Sequence, residues 1–315
     1  MGRALQVTDR HGREVVVVVA KLTLAVSPMG DVAIAIPPSA VRFYPEAYES
    51  GGVRYPADVS DEKPGTDVIL VGHATPGPAS KATSMQVRVR VGPLAAAVRV
   101  VGPRFWLRNA RQLVLGPSAG LVPTPLSGEM TFGAAEPVQS APAPTIEDLE
   151  RPGQSASLGA VEMSSPLRTK YLGTMDAAWA RERAPLLPTD FDPRFHSCAS
   201  PGLWSSAPLL GDEAVEVIGA TDSGSWLFRL PRFAPRFVVH ERDREPEELD
   251  THLDTFLIDA EHGRVELTWR AKVSVPNKAA RLQKIAIFQG HRLPEELYRR
   301  ALQDIDRAAT KEATT

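Results

Sequence analysis

The chain has 315 residues, 43% of them hydrophobic, which is enough apolar material for one large domain or two smaller ones and excludes disorder throughout. The formal net charge is −2 and the pI is about 6.4, so the chain lacks the overall basic charge typical of proteins that bind nucleic acid or anionic membranes. The single cysteine, Cys198, excludes an internal disulfide and any multi-cysteine metal site, and it fits a reducing compartment.

The 28 prolines are spread along most of the chain and exclude a helical bundle, because proline is not tolerated inside helices. We predict a mainly β fold in which antiparallel hairpins form one or two packed sheets, sandwich-like or barrel-like, with long Pro-rich loops and one C-terminal amphipathic helix. Residues 1–9 contain no apolar stretch of signal-peptide length, and the run 15–20 is too short to span a bilayer, so we expect the cytoplasm.

Two hairpins are predicted in the first hundred residues. A run of five valines lies within 14–26 and predicts a strand, which we expect to pair with 31–36 across the turn between them. In 84–101, apolar residues alternate with arginines and other polar residues on both sides of Gly92 and Pro93, which predicts a second hairpin with one face in water.

Between these hairpins, residues 59–74 carry a polar turn that leads directly into a short apolar strand. Pro64 and Gly65 form the turn, and the β-branched run that follows is typical of a strand covered on both faces at the centre of a sheet. Lys63 and Asp67 flank the turn, and we expect them to form an exposed ion pair that adds little stability.

The order of residues in 61–74, an acid, Lys-Pro-x-Thr-Asp-Val, an apolar run and Gly-x-Ala, resembles the core motif of a bacterial family linked to type VI secretion. Five more segments resemble motifs of that family in the same order: 102–106, 125–133, 168–179, 185–195 and 253–270. Two features depart from its pattern, since Pro103 replaces the usual acid and residues 134–160 replace a glycine-rich Asn-Pro loop.

The resemblance implies an adaptor or chaperone that binds an effector protein, or the effector's tip domain of Pro-Ala-Ala-Arg (PAAR) repeats, and delivers it to the trimeric spike protein of the VgrG type. We expect most motif residues to be structural. They are Lys63, Pro64, Thr66, Asp67, Gly72, Arg104, Trp106, Gly173, Thr174, Asp176, Trp179, Asp190, Phe191, Asp192, Trp269 and Arg270.

Candidate catalytic groups are few. Asp190 and Asp192 invite a metal or acid–base interpretation, but no third ligand follows at a recognisable spacing, so we expect them to order their loop. His196 and Cys198 invite a nucleophile and base interpretation, but no signature glycines surround the thiol. We therefore predict no catalytic residue, metal or cofactor. A β-rich hydrolase that uses loop carboxylates and a structural component of the secretion machine remain the alternatives.

Partner contacts are predicted at two places. Residues 294–308 form an amphipathic helix whose apolar stripe either packs on its own domain or docks on a partner, and this stripe includes Leu297, Tyr298 and Leu302. Trp204 lies in the most loop-like surroundings of the five tryptophans. Composition divides the chain into two β halves, 1–133 and 166–290, a linker-like loop at 134–165, and a helix with a tail at 291–315, although the halves may form a single domain.

Overall fold

The computed structural model describes residues 2–27, 32–34, 42–77, 80–127, 138–242, 244–274 and 282–288. Of the described residues, 44% lie in strands and 6% in helices, and most strand pairs are antiparallel. The predicted mainly β fold is therefore confirmed.

The larger sheet has seven strands and is built on the valine-rich strand β2. The strands, in spatial order, are β1 (Gly2–Thr8), β2 (Glu14–Val26), β20 (Arg264–Ser274), β19 (Leu253–Asp259), β6 (Thr66–Val71) and β14 (Trp204–Ser205), with β3 (Val32–Ile34) also paired to β2. The pair β6 and β19 is parallel, and the other pairs are antiparallel.

The second sheet has five strands, which in spatial order are β13 (Ile146–Glu147), β9 (Leu94–Val101), β8 (Ser84–Val91), β15 (Ala214–Ile218) and β16 (Ser225–Arg229). Along β8, Val87, Val89 and Val91 are buried while Arg88 and Arg90 are exposed, as the alternation predicted. The predicted hairpin at 84–101 is confirmed, and residues 253–270 also form an antiparallel hairpin.

One hydrophobic core joins the two sheets. It contains Val68 and Leu70 of β6, Phe256 of β19, and Val87 and Val89 of β8, so the two sheets pack face to face. No sheet of the described residues closes on itself, which favours the sandwich-like form of our prediction over the barrel-like one.

The opposite face of β6 is covered by loops. Ile69 and Val71 pack there against Tyr44, Tyr55 and Cys198 in a second apolar cluster. Both faces of β6 are thus buried, which confirms that this strand is covered on both sides and lies within a sheet.

Smaller elements cover the edges and ends of these sheets. They are β18 (Glu247–Leu249), β17 (Arg236–Glu241) and β21 (Leu282–Phe288) in one sheet, and the pairs β4 (Tyr48–Ser50) with β5 (Val53–Tyr55), β7 (His73–Ala74) with β12 (Thr124–Pro125), and β10 (Trp106–Asn109) with β11 (Gln112–Leu115). The helices are short: α1 (Pro166–Thr169), α2 (Ala177–Glu182) and a 3₁₀ turn, Pro193–His196. Within the described residues, no helix has the length and apolar character to cross a membrane.

The structure differs from the sequence predictions in several places. Neither β1 nor β18 was predicted. Residues 138–165 were expected to form a flexible connection, but Ile146 and Leu158 belong to the main core. Strands from both predicted halves share each large sheet. The predicted helix at 294–308, with Leu297, Tyr298 and Leu302, lies outside the described residues.

Candidate functional site

The motif around β6 forms a buried ion pair. Lys63 Nζ lies 2.7 Å from Asp67 Oδ2, and their side chains are only 5% and 0% exposed. The prediction of an exposed surface pair was therefore wrong. The reason is that residues far along the chain cover it: the Cys198 amide donates to Asp67 Oδ2 at 2.8 Å, and Lys63 Nζ donates to Thr255 Oγ1 at 2.6 Å.

The surroundings of this pair shift the pKa values of Lys63 and of the neighbouring Cys198. Burial by itself lowers the pKa of Lys63, but attraction to Asp67 and its neighbours outweighs burial and holds that pKa above its usual value. Burial raises the pKa of the Cys198 thiol to about 11, so the thiol is protonated at neutral pH. His196 points elsewhere, with Nε2 3.4 Å from Asp61. Cys198 and His196 therefore do not form a nucleophile and base.

The closing motif anchors the same turn. Arg270 Nε lies 2.9 Å from Asp254 Oδ2, and the same guanidinium donates to the backbone oxygens of Asp58 and Ser60 at 2.8 and 3.0 Å. Its neighbour Trp269 is buried in the main core, which fits the structural role expected of this motif residue. These contacts join the two ends of the motif series in one buried network of charges.

Trp204, the tryptophan predicted to contact a partner, lies at the edge of this network. Its indole Nε1 donates to Pro64 O at 3.1 Å, and its backbone pairs with Asp67 as part of β14. The ring is half-buried. The contacts show that Trp204 fixes the turn before β6, and its role in binding stays a prediction.

A second motif cluster surrounds Glu147. This carboxylate is 1% exposed, forms an ion pair with Arg104, and accepts the Gly153 amide at 2.7 Å, while Arg99 lies 3.6 Å away. Glu147 lies in β13, where two arginines neutralise it.

A third motif cluster orders residues 172–196. Asp190 accepts hydrogen bonds from the amide and hydroxyl of Thr174 at 3.0 and 2.8 Å, and Asp176 caps α2 by accepting the Trp179 amide at 2.8 Å. Gly173 has φ +82°, and a Cβ there would lie 2.6 Å from Asp190 Oδ1. Asp192 caps the 3₁₀ turn after the buried Phe191. Both aspartates therefore order loops, as predicted.

An open cleft of about 450 Å³ adjoins this cluster. Its lining includes Thr174, Asp176, Trp179, Glu182 and Asp190. Hydrogen bonds from Thr174 hold the pKa of Asp190 below its usual value, so this carboxylate is ionised at neutral pH. Among the described residues, no group of three histidine, cysteine or carboxylate side chains is placed to hold a metal ion.

A surface that the sequence did not predict lies on the β10–β11 ribbon. Leu107 and Val114 form a cross-strand pair, and Phe105 precedes Leu107 by two residues, so the three side chains share one face. Pro142 pairs with Phe105 on the other side of β10 and is also exposed. We call these four residues, Phe105, Leu107, Val114 and Pro142, the apolar strip.

The apolar strip faces water, although its side chains are large. Phe105 is 52%, Leu107 44% and Val114 37% exposed. The opposite face of the ribbon is the packed one, since a Cβ at Gly153 would lie 2.8 Å from the ring of Trp106. Trp106, one of the motif residues expected to be structural, is half-buried on that face.

Comparison with known proteins places the chain in a family. Residues 11–270 match the profile of a bacterial family described as an uncharacterized protein conserved in bacteria, DUF2169. The chain belongs to this family. No curated protein and no solved structure matches it.

The family match spans all three motif clusters, the cleft and the apolar strip, and it ends before β21 and residues 294–308. The family description names no activity or partner. The link to type VI secretion that the motifs imply is therefore taken up below as a proposal.

The sequence signal for the apolar strip was weak for a physical reason. Three apolar residues follow one another at 105–107, so the alternation that normally marks a half-exposed strand is absent. Only the pairing of β10 with β11 on one side and with 140–143 on the other assigns each side chain to a face.

Proposed function

We propose that this chain is a non-enzymatic adaptor or chaperone that acts in the cytoplasm. It binds a type VI secretion effector, or the effector's PAAR-repeat tip domain, and helps to load it onto the VgrG-type spike protein. The observation that carries the proposal is the apolar strip, and the motif resemblance supplies the class of partner.

The strip has the composition of a protein-binding surface. Soluble proteins rarely leave several large apolar side chains side by side in water, and aromatic residues are enriched at interface centres. Phe105 lies at the centre of the strip, between Pro142 and the backbone of Gly116, which donates its amide to Phe105 O at 2.9 Å. The Phe105 ring is 52% exposed and is therefore open to a partner.

The buried motif clusters also support the proposal, because they order the scaffold that carries the binding surface. Their charged residues are paired within the chain, for example Lys63 with Asp67 and Arg104 with Glu147. Such pairs fix loops on the sheets, and a binding surface gains affinity when its scaffold is already ordered before the partner arrives. The clusters therefore fit the role of holding a rigid platform.

The hydrolase alternative has one observation in its favour, the cleft lined by Asp176, Glu182 and Asp190. That hypothesis requires Asp190 and Asp192 to act together. Asp192 instead binds Arg194, with Nε to Oδ2 at 2.8 Å, and it is not among the residues that line the cleft. We therefore rank the adaptor first.

The proposal is tested by co-expressing the tagged chain with the proteins encoded beside its gene and measuring the yield of each complex. We expect a near-stoichiometric complex with an effector or tip protein. The double substitution Phe105→Ser and Leu107→Ser should weaken it by about 2 kcal/mol, or roughly thirty-fold, because both side chains would anchor the interface.

The matched control is Leu210→Ser with Leu227→Ser, because these leucines are 82% and 63% exposed and lie outside the strip. The control should bind like the unmodified chain. A complex whose affinity is unchanged by the strip substitutions would contradict the proposal. Turnover of a substrate that is abolished by Asp190→Asn would favour the hydrolase.

A further inference from the structure

We infer that the outer edge of strand β16 pairs with β16 of a second copy of this chain, so that two five-stranded sheets join into one. The inference is independent of the proposed function and concerns a different surface. It is carried by the direction of the backbone groups in β16 and by the symmetry of its residues.

Every second residue of β16 points its backbone groups away from the sheet. The Leu230 amide donates to Glu213 O at 2.9 Å, in register with the β15–β16 pairs. Hydrogen-bonded residues alternate along an antiparallel strand, so the even-numbered residues of β16 face β15, whereas Ser225, Leu227 and Arg229 face outward. No strand of the described residues pairs with β16 on that side.

This edge lacks the features that usually keep an edge strand from pairing. β16 has five residues in an unbroken register with β15, without a bulge, a proline or a lysine. Its central side chain, Leu227, is 63% exposed. By contrast, β13 at the other end of this sheet and β14 at one end of the larger sheet are only two residues long. The edge of β16 is therefore suited to receive another strand.

The residues of β16 match a second copy in one antiparallel register. When Leu227 lies opposite Leu227 of the second copy, all five residues are paired and Ser225 lies opposite Arg229. Charges of like sign do not face each other in this register. A shift by one step either pairs Ser225 with Pro231, which has no amide hydrogen, or places Arg229 opposite a residue beyond the strand.

The same register brings aromatic residues together on the inner face of the sheet. Trp226 of each copy lies opposite Phe228 of the other, at a pair without backbone hydrogen bonds, where side chains approach most closely. Trp226 is buried in the main core, and Phe228 packs against that core but is only half-buried. The accessible side of each Phe228 ring would be covered by the second copy, and the outward residues would add about six backbone hydrogen bonds.

These features favour a second copy over a foreign strand. A surface that is complementary to itself forms a closed two-fold dimer, the commonest oligomer of soluble proteins. A foreign strand would need only the free backbone groups and would not require a symmetric arrangement of residues around Leu227. One pair of five-residue strands is smaller than a standard interface, so we expect a dissociation constant of roughly 1–100 µM.

Sedimentation velocity of the full chain over about 1–200 µM measures this association, and we expect dimers that form with increasing concentration. Leu227→Pro should raise the dissociation constant at least about tenfold, because it removes the central amide donor of both copies. Since this amide faces outward, the substitution removes no hydrogen bond to β15. Circular dichroism and thermal unfolding of each variant establish that it is folded.

Charge substitutions test the two-fold symmetry. Leu227→Glu and Leu227→Lys should each raise the dissociation constant at least about tenfold, because residue 227 lies opposite itself and like charges repel. An equimolar mixture of the two variants should restore dimers, and native mass spectrometry should show that they are mixed. The matched control is Met163→Glu and Met163→Lys, at a 60% exposed side chain beside Glu162, whose partner Arg54 belongs to β5. Each control variant should dimerise like the unmodified chain.

A chain that stays monomeric up to about 200 µM, a dimer unchanged by Leu227→Pro, or charge variants that mixing does not restore would overturn the inference. So would a monomer whose β16 edge instead binds a neighbouring gene product. If Leu227→Pro does not fold, the charge variants decide. The Leu227 variants leave the apolar strip unchanged and should keep the yield of the partner complex, so the inference and the proposed function fail separately.

Discussion

Asp67 joins a turn of the first half of the chain to a loop of the second half. Its Oδ2 atom meets the Lys63 ammonium at 2.7 Å, the Cys198 amide at 2.8 Å and the Cys198 thiol at 3.5 Å. The carboxylate is fully buried, so its charge is balanced by these groups and not by water. A change at this one position therefore affects the turn, the sheet and the covering loop together.

The substitution Asp67→Ala should lower the free energy of unfolding by about 3–5 kcal/mol, because it leaves the Lys63 ammonium buried without a counter-charge. Urea denaturation followed by fluorescence measures this loss. The exposed Asp222→Ala serves as a control and should change stability by less than about 0.5 kcal/mol.

A second variant separates the lost charge balance from lost packing. Lys63→Met with Asp67→Leu removes both charges and should recover much of the stability, since apolar replacements of a buried ion pair are often neutral. A loss below about 1 kcal/mol for Asp67→Ala alone would show that water reaches Lys63.

At the scale of the elements, the turn before β6 packs tightly against a neighbouring strand. Gly65 has φ +73°, and a Cβ there would overlap the backbone oxygen of Ser205 in β14. The turn and the edge strand are therefore in direct contact, with no room for a side chain. The sequence predicted the turn from Pro64 and Gly65, but not the strand against which it packs.

The substitution Gly65→Ala should cost more than about 2 kcal/mol of stability, because backbone strain adds to a clash with another backbone atom. Gly51→Ala is the matched control: Gly51 has φ +59°, and a Cβ at this position would have no neighbouring atom within 4 Å. It should cost about 1 kcal/mol. Thermal unfolding compares the two, and equal losses would refute the close contact with β14.

At the scale of the whole molecule, buried and half-buried carboxylates tie the loops to the larger sheet. Burial raises the pKa of Asp61, but the attraction of His196 and Lys272 outweighs it and holds that pKa below its usual value of 3.8. Burial acts in the same way on Asp9, and hydrogen bonds from Arg13 and His11 outweigh it, so the pKa of Asp9 is also lowered.

A carboxylate whose pKa is lower in the folded state contributes stability above its unfolded pKa, and this stability is lost as the pH falls through the folded pKa. The free energy of unfolding should therefore be constant near pH 6 and fall progressively below about pH 4. Urea denaturation at several pH values measures the slope. Asp61→Asn should flatten the dependence of the free energy of unfolding on pH, and Asp222→Asn should not. Identical slopes for the two variants would contradict the assignment of this dependence to Asp61.

The sequence by itself determined the features that depend on near neighbours. The alternation in 84–91 and the valine run in β2 are local patterns, because strand period and β-branching act within a few residues. These patterns predicted the mainly β class and both hairpins. The lack of a third ligand at a recognisable spacing predicted that Asp190 and Asp192 order their loop.

Only the tertiary structure decided the features that depend on distant residues. The sequence predicted that Lys63 and Asp67 are exposed. In the structure they are covered by Cys198 and Thr255, each more than a hundred residues away. The apolar strip likewise required the pairing of β10 with β11 and with 140–143. Burial and the choice of face are set by contacts between remote segments, and no local pattern in the chain encodes them.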